Sequence, residues 1–364
     1  MPENILIYYP SAKRSNVLET LALEFSARGH HIFFLTHAEK DELHEALEKQ
    51  GINVFSFYVP KTTSVLFYLK HFFFLISFCR RHKISAVQSH LQTANIVSVL
   101  AQFFIRAKVV NYRHHLIENN RTSRIFDKII NRLAKKIVVP SSVILEKMTN
   151  EEQVPAKKIK LVPYVYDFSK YSSSPERVAE IKQMHPAKLR ILLCGRFVPL
   201  KRNDLAIRAV AALIEKGQQV CLMALDSGPG LEECKQLVRE LNIENQVYFI
   251  GYTSKVLDYI AACDVLVHPS FTEASNNTVK EAALFSKKVI VCEGVGDFSD
   301  FIINGKNGYL VSRENPLPEL IKALEEIYEG RGDMNMGDEL KKTVMQKFQK
   351  STETIDKHLD LLVR

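Results

Sequence analysis

At 364 residues the chain is long enough for two hydrophobic cores, since single cores stop growing near about 250–300 residues. Apolar residues make up 46% and charged residues 25%, an ordinary globular composition that leaves no disordered or low-complexity segment. The net charge of +8 is uneven: residues 1–170 hold 24 Lys+Arg against 14 Asp+Glu, residues 171–364 hold 25 against 27. The first half therefore suits an anionic partner, and without aromatic-basic interleaving to stack single strands that partner is an acidic membrane surface or a phosphorylated acceptor rather than nucleic acid.

The chain runs from Pro2-Glu3-Asn4 straight into an apolar strand, Ile5–Tyr9, with none of the charged, apolar and small-residue zones of a secretory leader. A helix across Asn16–Ala27 follows, then strands His31–Thr36, Val54–Phe57, Ala86–His90, Lys108–Tyr112 and Lys136–Pro140, with helical periodicity between them. This alternation is that of parallel βαβ units, so residues 1–165 form one doubly wound domain. Inside it, Val65–Lys83 combines large apolar residues with Lys70, Arg80, Arg81 and Lys83. Such a helix either packs on the core ahead of a strand or lies on a membrane surface. Its longest apolar run, Phe72–Phe78, is far short of the roughly 20 residues that cross a bilayer.

Lys160–Glu176, rich in Tyr, Ser and Pro, lacks either periodicity and is placed as the interdomain linker. Alternation restarts with Arg190–Gly195, Val220–Leu225, Val247–Gly251, Asp264–Pro269 and Lys288–Cys292, giving a second doubly wound domain over residues 166–340. Two such domains in series are expected to face one another across a cleft that holds the ligands. From Asp338 one long amphipathic helix is expected, with residues 341–364 returning to the first domain. The six cysteines show no metal-ligand spacing and read as buried residues of a reducing cytoplasm.

The chemistry concentrates in the second half. In Ser270–Glu281, SFTEASNNTVKE, a strand end leads through a polar turn into a helix, with Ser275-Asn276-Asn277 as its cap signal. Glu273 then stands at the carboxyl end of the strand, where open α/β sheets bind ligands, and Glu281 about two turns into the helix. A carboxylate accepts hydrogen bonds from sugar or ribose hydroxyls, and the helix start offers free N–H groups to an anion. In Leu192–Asp204, Gly195 ends a strand and is followed by Arg196 and Lys201 at the mouth of a helix, a pairing that can cradle a diphosphate. The glycine-rich turns Ser227–Gly230 and Gly294–Asp297 allow close backbone approach. Taken singly, the same residues also read as solvated loops and a solvated helix carboxylate.

Taken in order, Gly195-Arg196 with Lys201, the SGP turn, Phe249–Tyr252, the strand ending at Ser270, Glu273 with Glu281, and Asn307–Val311 resemble the C-terminal half of glycosyltransferase family 4, the retaining GT-B enzymes that use nucleotide-activated sugars. The resemblance covers nearly all of Arg190–Val311 and implies an α/β GT-B fold of two Rossmann-like domains. It implies that Arg196 and Lys201 bind the donor diphosphate and stabilise the departing nucleotide. Glu281 would hold the ribose, Tyr252 would lie against the base, and Glu273 would bind the donor sugar beside the N–H groups of Ala274, Ser275, Asn276 and Asn277. His114 matches the family histidine near the donor sugar, with His115 as the alternative, and His90 matches a structural one. Pro163 and Asp167 match the family hinge.

The first loop, Pro10–Asn16, departs from the family's Gly-Gly turn, and its Lys13 and Arg14 either contact an anionic acceptor or are solvated. What the resemblance implies overall is a hexosyltransferase-type enzyme taking a UDP- or GDP-sugar, with no permanent cofactor and no metal, and with a saccharide or lipid-linked acceptor from surface polysaccharide or glycan assembly. Its expected location is cytoplasmic, peripheral on the inner face of the membrane. The rival readings are a GT-B sugar-nucleotide epimerase, which needs no acceptor, and a non-catalytic nucleotide-binding scaffold.

Overall fold

The computed structural model describes residues 2–60, 65–116, 121–331 and 333–363. They divide into two compact units, one of residues up to Phe168 joined by the segment from Phe348 onward, the other Ser169–Lys347.

In the first unit the strands are β1 (Asn4–Tyr8), β2 (His31–Thr36), β3 (Asn53–Ser56), β4 (Ala86–His90), β5 (Lys108–Tyr112), β6 (Ile137–Val139) and β7 (Ile159–Leu161), all parallel, in the order β3-β2-β1-β4-β5-β6-β7. The helices between them are α1 (Asn16–Ala27), α2 (Glu42–Glu48), α3 (Val65–Arg81), α4 (Leu91–Ala101), α5 (Arg121–Leu133) and α6 (Ser142–Glu146). The central strands are buried along nearly their whole length, β1 and β6 as largely aliphatic runs of the kind both covered faces require, and β4 with Gln88, Ser89 and His90 buried beside Ala86 and Val87. Helix starts follow their caps: the Ser15 side chain accepts from Leu18 N–H, and Asp41 with His44 closes a capping box on α2. Leu18, Leu21 and Phe25 of α1 join Ile5, Ile7, Phe34 and Val110 in one apolar core.

In the second unit, α7 (Pro175–Met184) precedes β8 (Leu189–Cys194), α8 (Asn203–Glu215), β9 (Val220–Leu225), α9 (Leu231–Glu240), β10 (Val247–Gly251) and α10 (Val256–Ala262). Then come β11 (Val265–His268), α11 (Asn277–Leu284), β12 (Lys288–Cys292), β13 (Tyr309–Val311), α12 (Leu317–Tyr328) and α13 (Met336–Phe348). The sheet order is β10-β9-β8-β11-β12-β13, again parallel. Winding reverses between β1 and β4 in the first sheet and between β8 and β11 in the second, the places where open α/β sheets leave a ligand crevice beyond the strand ends.

Two expectations are corrected. The aperiodic stretch from Lys160 overlaps β7, a three-residue strand too short for periodicity to register. The C-terminal segment is two helices rather than one, α13 and then α14 (Thr352–Val363). The break is where the Tyr166 backbone inserts as a bridge: Tyr166 N–H donates to the Phe348 carbonyl (2.8 Å) and its carbonyl accepts from Lys350 N–H (2.9 Å). Ser351 then caps the new helix through Thr354 N–H. α14 packs on α1 and on β4 and β5, with Ile355, Leu359, Leu361 and Leu362 in the core of the first unit.

Among the described residues no helix is long and apolar enough to cross a membrane. All six cysteines are buried and unpaired.

Candidate functional site

In the second unit the sequence-selected residues lie at the β8–β11 switch point, except Tyr252, which follows the edge strand β10. β8 ends at Cys194, so Gly195 opens the loop that carries Arg196 and Lys201 toward α8. β11 ends at His268, and the turn Pro269–Asn276 carries Glu273 and delivers the chain to α11. Asn276 is the N-cap, accepting from Val279 N–H at 3.0 Å. Because the helix begins there, Glu281 stands a little over one turn in, not two.

Glu273 is the hub. One of its oxygens, Oε1, is ion-paired with Lys201 Nζ and accepts from His268 Nε2 (2.6 Å) and Asn276 Nδ2 (3.3 Å). The carboxylate fixes the His268 tautomer with its proton on Nε2. Burial opposes ionisation of Glu273, but His268 and Lys201 outweigh it and hold the pKa at about 2. The other oxygen, Oε2, has no hydrogen-bond partner among the described residues. The turn is held close from behind, because Gly296 sits at φ +57° where a Cβ would come within 2.9 Å of Glu273 Cβ.

Glu281 is the opposite case. Its carboxyl makes no hydrogen bond or ion pair among the described residues, and burial raises its pKa to about 7 against a weaker opposing pull from Lys280. Between the two glutamates, Lys280 is fully buried and ion-paired with Asp297 (2.7 Å), and it also donates to Ser275 Oγ (2.9 Å) and the Asn276 carbonyl (3.0 Å). Asp297 accepts from Ser275 Oγ at 2.6 Å. This buried cluster fixes the backbone of Ala274–Asn277 relative to the loop after β12.

The rest of the cradle is looser. The Arg196 side chain is exposed and makes no hydrogen bond or ion pair among the described residues, and Tyr252, just past β10, is exposed. The loop between Arg196 and α8 is packed against the SGP turn: Phe197 N–H donates to Ser227 O (3.0 Å), Gly230 N–H donates to Phe197 O (2.9 Å), and a Cβ on Gly228 would lie 2.4 Å from that oxygen.

Sequence reasoning missed three contributors. His268 reads as one more residue of a buried strand, and only its position at the strand end before Pro269 could have marked it. Arg202, at φ +51°, donates to the carbonyls of Pro269 (2.8 Å) and Arg313 (2.7 Å) and so ties the β11 loop to the segment after β13. Lys280 is hidden by its place inside a helical pattern.

In the first unit His114, beyond β5, has both ring nitrogens engaged: Nε2 with His90 Nδ1 (2.8 Å) and Nδ1 with the Tyr164 hydroxyl. His90 Nε2 has no partner among the described residues, so the pairing that avoids a buried unpaired N–H puts the protons of both rings on Nδ1. Burial, with His115 adding to it, lowers the His114 pKa to about 3. His115 turns instead to Asp127 (2.9 Å), which also pairs with Arg113. In the first loop Arg14 is bound by Glu19 through two 2.6 Å hydrogen bonds, which occupies its guanidinium, while Lys13 is exposed. Leu91, directly after His90 at the switch point, holds φ +62°, a conformation that costs a non-glycine residue about 1 kcal/mol or more.

Two parallel doubly wound sheets in one chain, each with its polar residues at the switch point, define the GT-B class. Solved structures agree on the fold: a glycosyltransferase from Rickettsia africae superposes over 99% of this chain and 98% of its own, with a TM-score of 0.83 and 18% identity. The Anabaena protein HepE, crystallised with UDP, covers 98% of each chain with a TM-score of 0.81 and 20% identity. The Glycosyltransferase Family 4 model matches residues 15–170 and the Glycosyl transferases group 1 model residues 177–343, and the chain belongs to this family of GT-B glycosyltransferases. Among its relatives, the phosphatidylinositol N-acetylglucosaminyltransferase GPI3 subunit of Saccharomyces cerevisiae is 21% identical over 306 residues, 81% of this chain and 67% of that protein. A Campylobacter jejuni N-acetylgalactosamine-N,N'-diacetylbacillosaminyl-diphospho-undecaprenol 4-alpha-N-acetylgalactosaminyltransferase is 21% identical over 316 residues, 82% of this chain and 80% of that one. The chain is a glycosyltransferase of glycan biosynthesis.

Proposed function

We propose that the chain transfers a hexose-type sugar from a nucleoside-diphosphate sugar to a saccharide or lipid-linked acceptor, with retention at the anomeric carbon, on the cytoplasmic side of a membrane. The observation that carries the donor assignment is the carboxyl oxygens at one switch point, Glu273 Oε2 and both of Glu281, that have no hydrogen-bond partner among the described residues. They are partly shielded from water, and hydroxyl donors satisfy them best.

In this reading Glu281 takes the ribose hydroxyls and Glu273 the sugar hydroxyls. Arg196, whose side chain has no partner among the described residues, and Lys201 take the diphosphate, with Gly195 leaving room between them. Tyr252 flanks the base, and the N–H groups of Ala274–Asn277 face the donor. The domain read from the sequence over residues 1–165 takes the acceptor, and the one over residues 166–340 takes the donor. His114 is neutral, held by His90 and Tyr164, and positions the donor sugar through its ring rather than by transferring a proton. The bond from the anomeric carbon to the phosphate oxygen breaks while that carbon bonds to the acceptor oxygen on the same face. The acceptor proton passes to the departing phosphate oxygen. Arg196 and Lys201 act where negative charge develops, the place where fixed cations stabilise a transition state most. The HepE structure with UDP supports a uridine nucleotide as the first to try.

The test is thermal unfolding of the full chain with UDP, GDP, ADP or buffer, on wild type and on Glu281→Ala. A ligand at about 100 times its dissociation constant adds about 2.7 kcal/mol. One nucleotide is expected to raise the wild-type midpoint and to leave the variant unmoved. No shift with any nucleotide, or equal shifts in both proteins, overturns the donor site as drawn. Release of an altered sugar without acceptor would favour the epimerase reading.

A further inference from the structure

α3 carries large apolar side chains on two faces. One buries Phe67, Leu75, Ile76 and Phe78. The other exposes Val65 (76%), Leu66 (58%), Leu69 (48%) and Phe73 (65%), a stripe at helical spacing. α3 packs on α4, and Phe103 (63%) and Phe104 (56%), just past α4, extend the stripe through the edge-to-face contact of Phe104 with Phe72, centroids 5.5 Å apart. A contiguous apolar surface of this kind marks an interaction site.

The charge around it is one-sided. Between Glu48 and Glu118 the sequence has no Asp or Glu, although the whole chain carries 41, while nine Lys and Arg fall in the same interval. Lys70, Arg80 and Arg81 on α3 and Arg106 beyond Phe104 are exposed beside the stripe. A second copy of this chain would bring an equally basic face against it and be repelled. Aromatic and aliphatic side chains ringed by unopposed cations fit a surface that is apolar within and anionic outside.

We infer that the outer face of α3, with the turn after α4, docks the first unit on an anionic lipid bilayer. Leu66, Leu69 and Phe73 enter the headgroup boundary and the flanking cations pair with lipid phosphates. The inference deepens the membrane placement proposed above and stands apart from the donor chemistry, because its readout is partition rather than turnover.

The experiment is flotation of the full chain with vesicles of phosphatidylcholine alone or with a fraction of phosphatidylglycerol. The expected result is binding to the anionic vesicles about tenfold or more above the neutral ones, since each cation near such a surface strengthens the attraction, with loss in high salt. Leu69→Ser with Phe73→Ser, and separately Lys70→Glu with Arg81→Glu, should each lower partition severalfold while the unfolding midpoint and any nucleotide-induced shift stay at wild type. Equal partition on both vesicle types overturns the inference, as does wild-type partition of the Leu69→Ser/Phe73→Ser protein. So does a concentration-dependent dimer that this variant abolishes, which would make a second copy the occupant.

Discussion

Glu273 and Glu281 are eight residues apart, yet their environments push their titrations in opposite directions. Glu273, at about 2, is ionised throughout the physiological range and adds stability that is lost only as pH falls from the ordinary carboxylate range through about 2. Glu281, at about 7, binds its proton more tightly folded than unfolded, so its contribution is full below the ordinary carboxylate value and is lost as pH rises through about 7. Each pKa unit corresponds to about 1.4 kcal/mol, so the loss is on the order of a few kcal/mol. Glu281→Gln, which cannot ionise, should therefore unfold at nearly the same temperature at pH 5 and pH 7.5 relative to other groups, whereas wild type should drop. Parallel melting-temperature profiles for the two proteins would refute the burial of an unpartnered carboxyl. Both glutamates were legible in the sequence because their spacing around a capped turn is itself a pattern. His268 and Arg202 were not, because a histidine ending an apolar run and an arginine taking φ +51° at a helix mouth leave no mark in residue order.

α11 is short, eight residues from Asn277 to Leu284, and its start is fixed by more than its cap. Lys280 folds back under the first turn to Asp297, Ser275 and the Asn276 carbonyl, so one buried ion pair sets the turn that carries Glu273. Removing one member of a buried pair leaves an uncompensated charge and costs about 3–5 kcal/mol, whereas replacing both by apolar residues is far milder. Lys280→Met and Asp297→Leu should each destabilise the protein by that order, and the double variant by clearly less than either. Denaturant midpoints in a double-mutant cycle give the coupling, and simple additivity would show that the pair acts independently. At this scale most strands were readable because both faces of a parallel sheet are covered and their runs are largely apolar, with polar residues such as Gln88, Ser89 and Asn111 confined to a few buried positions. β7 was not, being three residues long and followed by irregular chain. The split between α13 and α14 was also invisible, since the interrupting hydrogen bonds come from Tyr166, about 180 residues earlier, and amphipathic periodicity carries no record of a distant backbone.

At the scale of the whole molecule, the chain's last helix belongs to its first sheet. α14 does more there than fill space: His358 Nε2–H donates to the Pro163 carbonyl (3.0 Å), its Nδ1 accepts from the Tyr112 hydroxyl (3.1 Å), and Tyr112 lies against His90, which holds His114. The return of the C-terminus was legible as an expectation of the GT-B fold, but this bracing of the histidine cluster was not, because it depends on side chains meeting across 246 positions. Ile355, Leu359, Leu361 and Leu362 each contribute about 1.5–3 kcal/mol by burial, together comparable to the 5–15 kcal/mol of a typical domain. A chain ended after Gln349 should therefore lose the unfolding transition of the first unit and expose its core to a hydrophobic dye. Ser169–Lys347 is a separate compact unit and should keep a cooperative transition of its own. Scanning calorimetry of the truncated and full-length chains separates the two. An unchanged profile would mean that α14 is a passive appendage, and the loss of both transitions would mean that the two units fold as one.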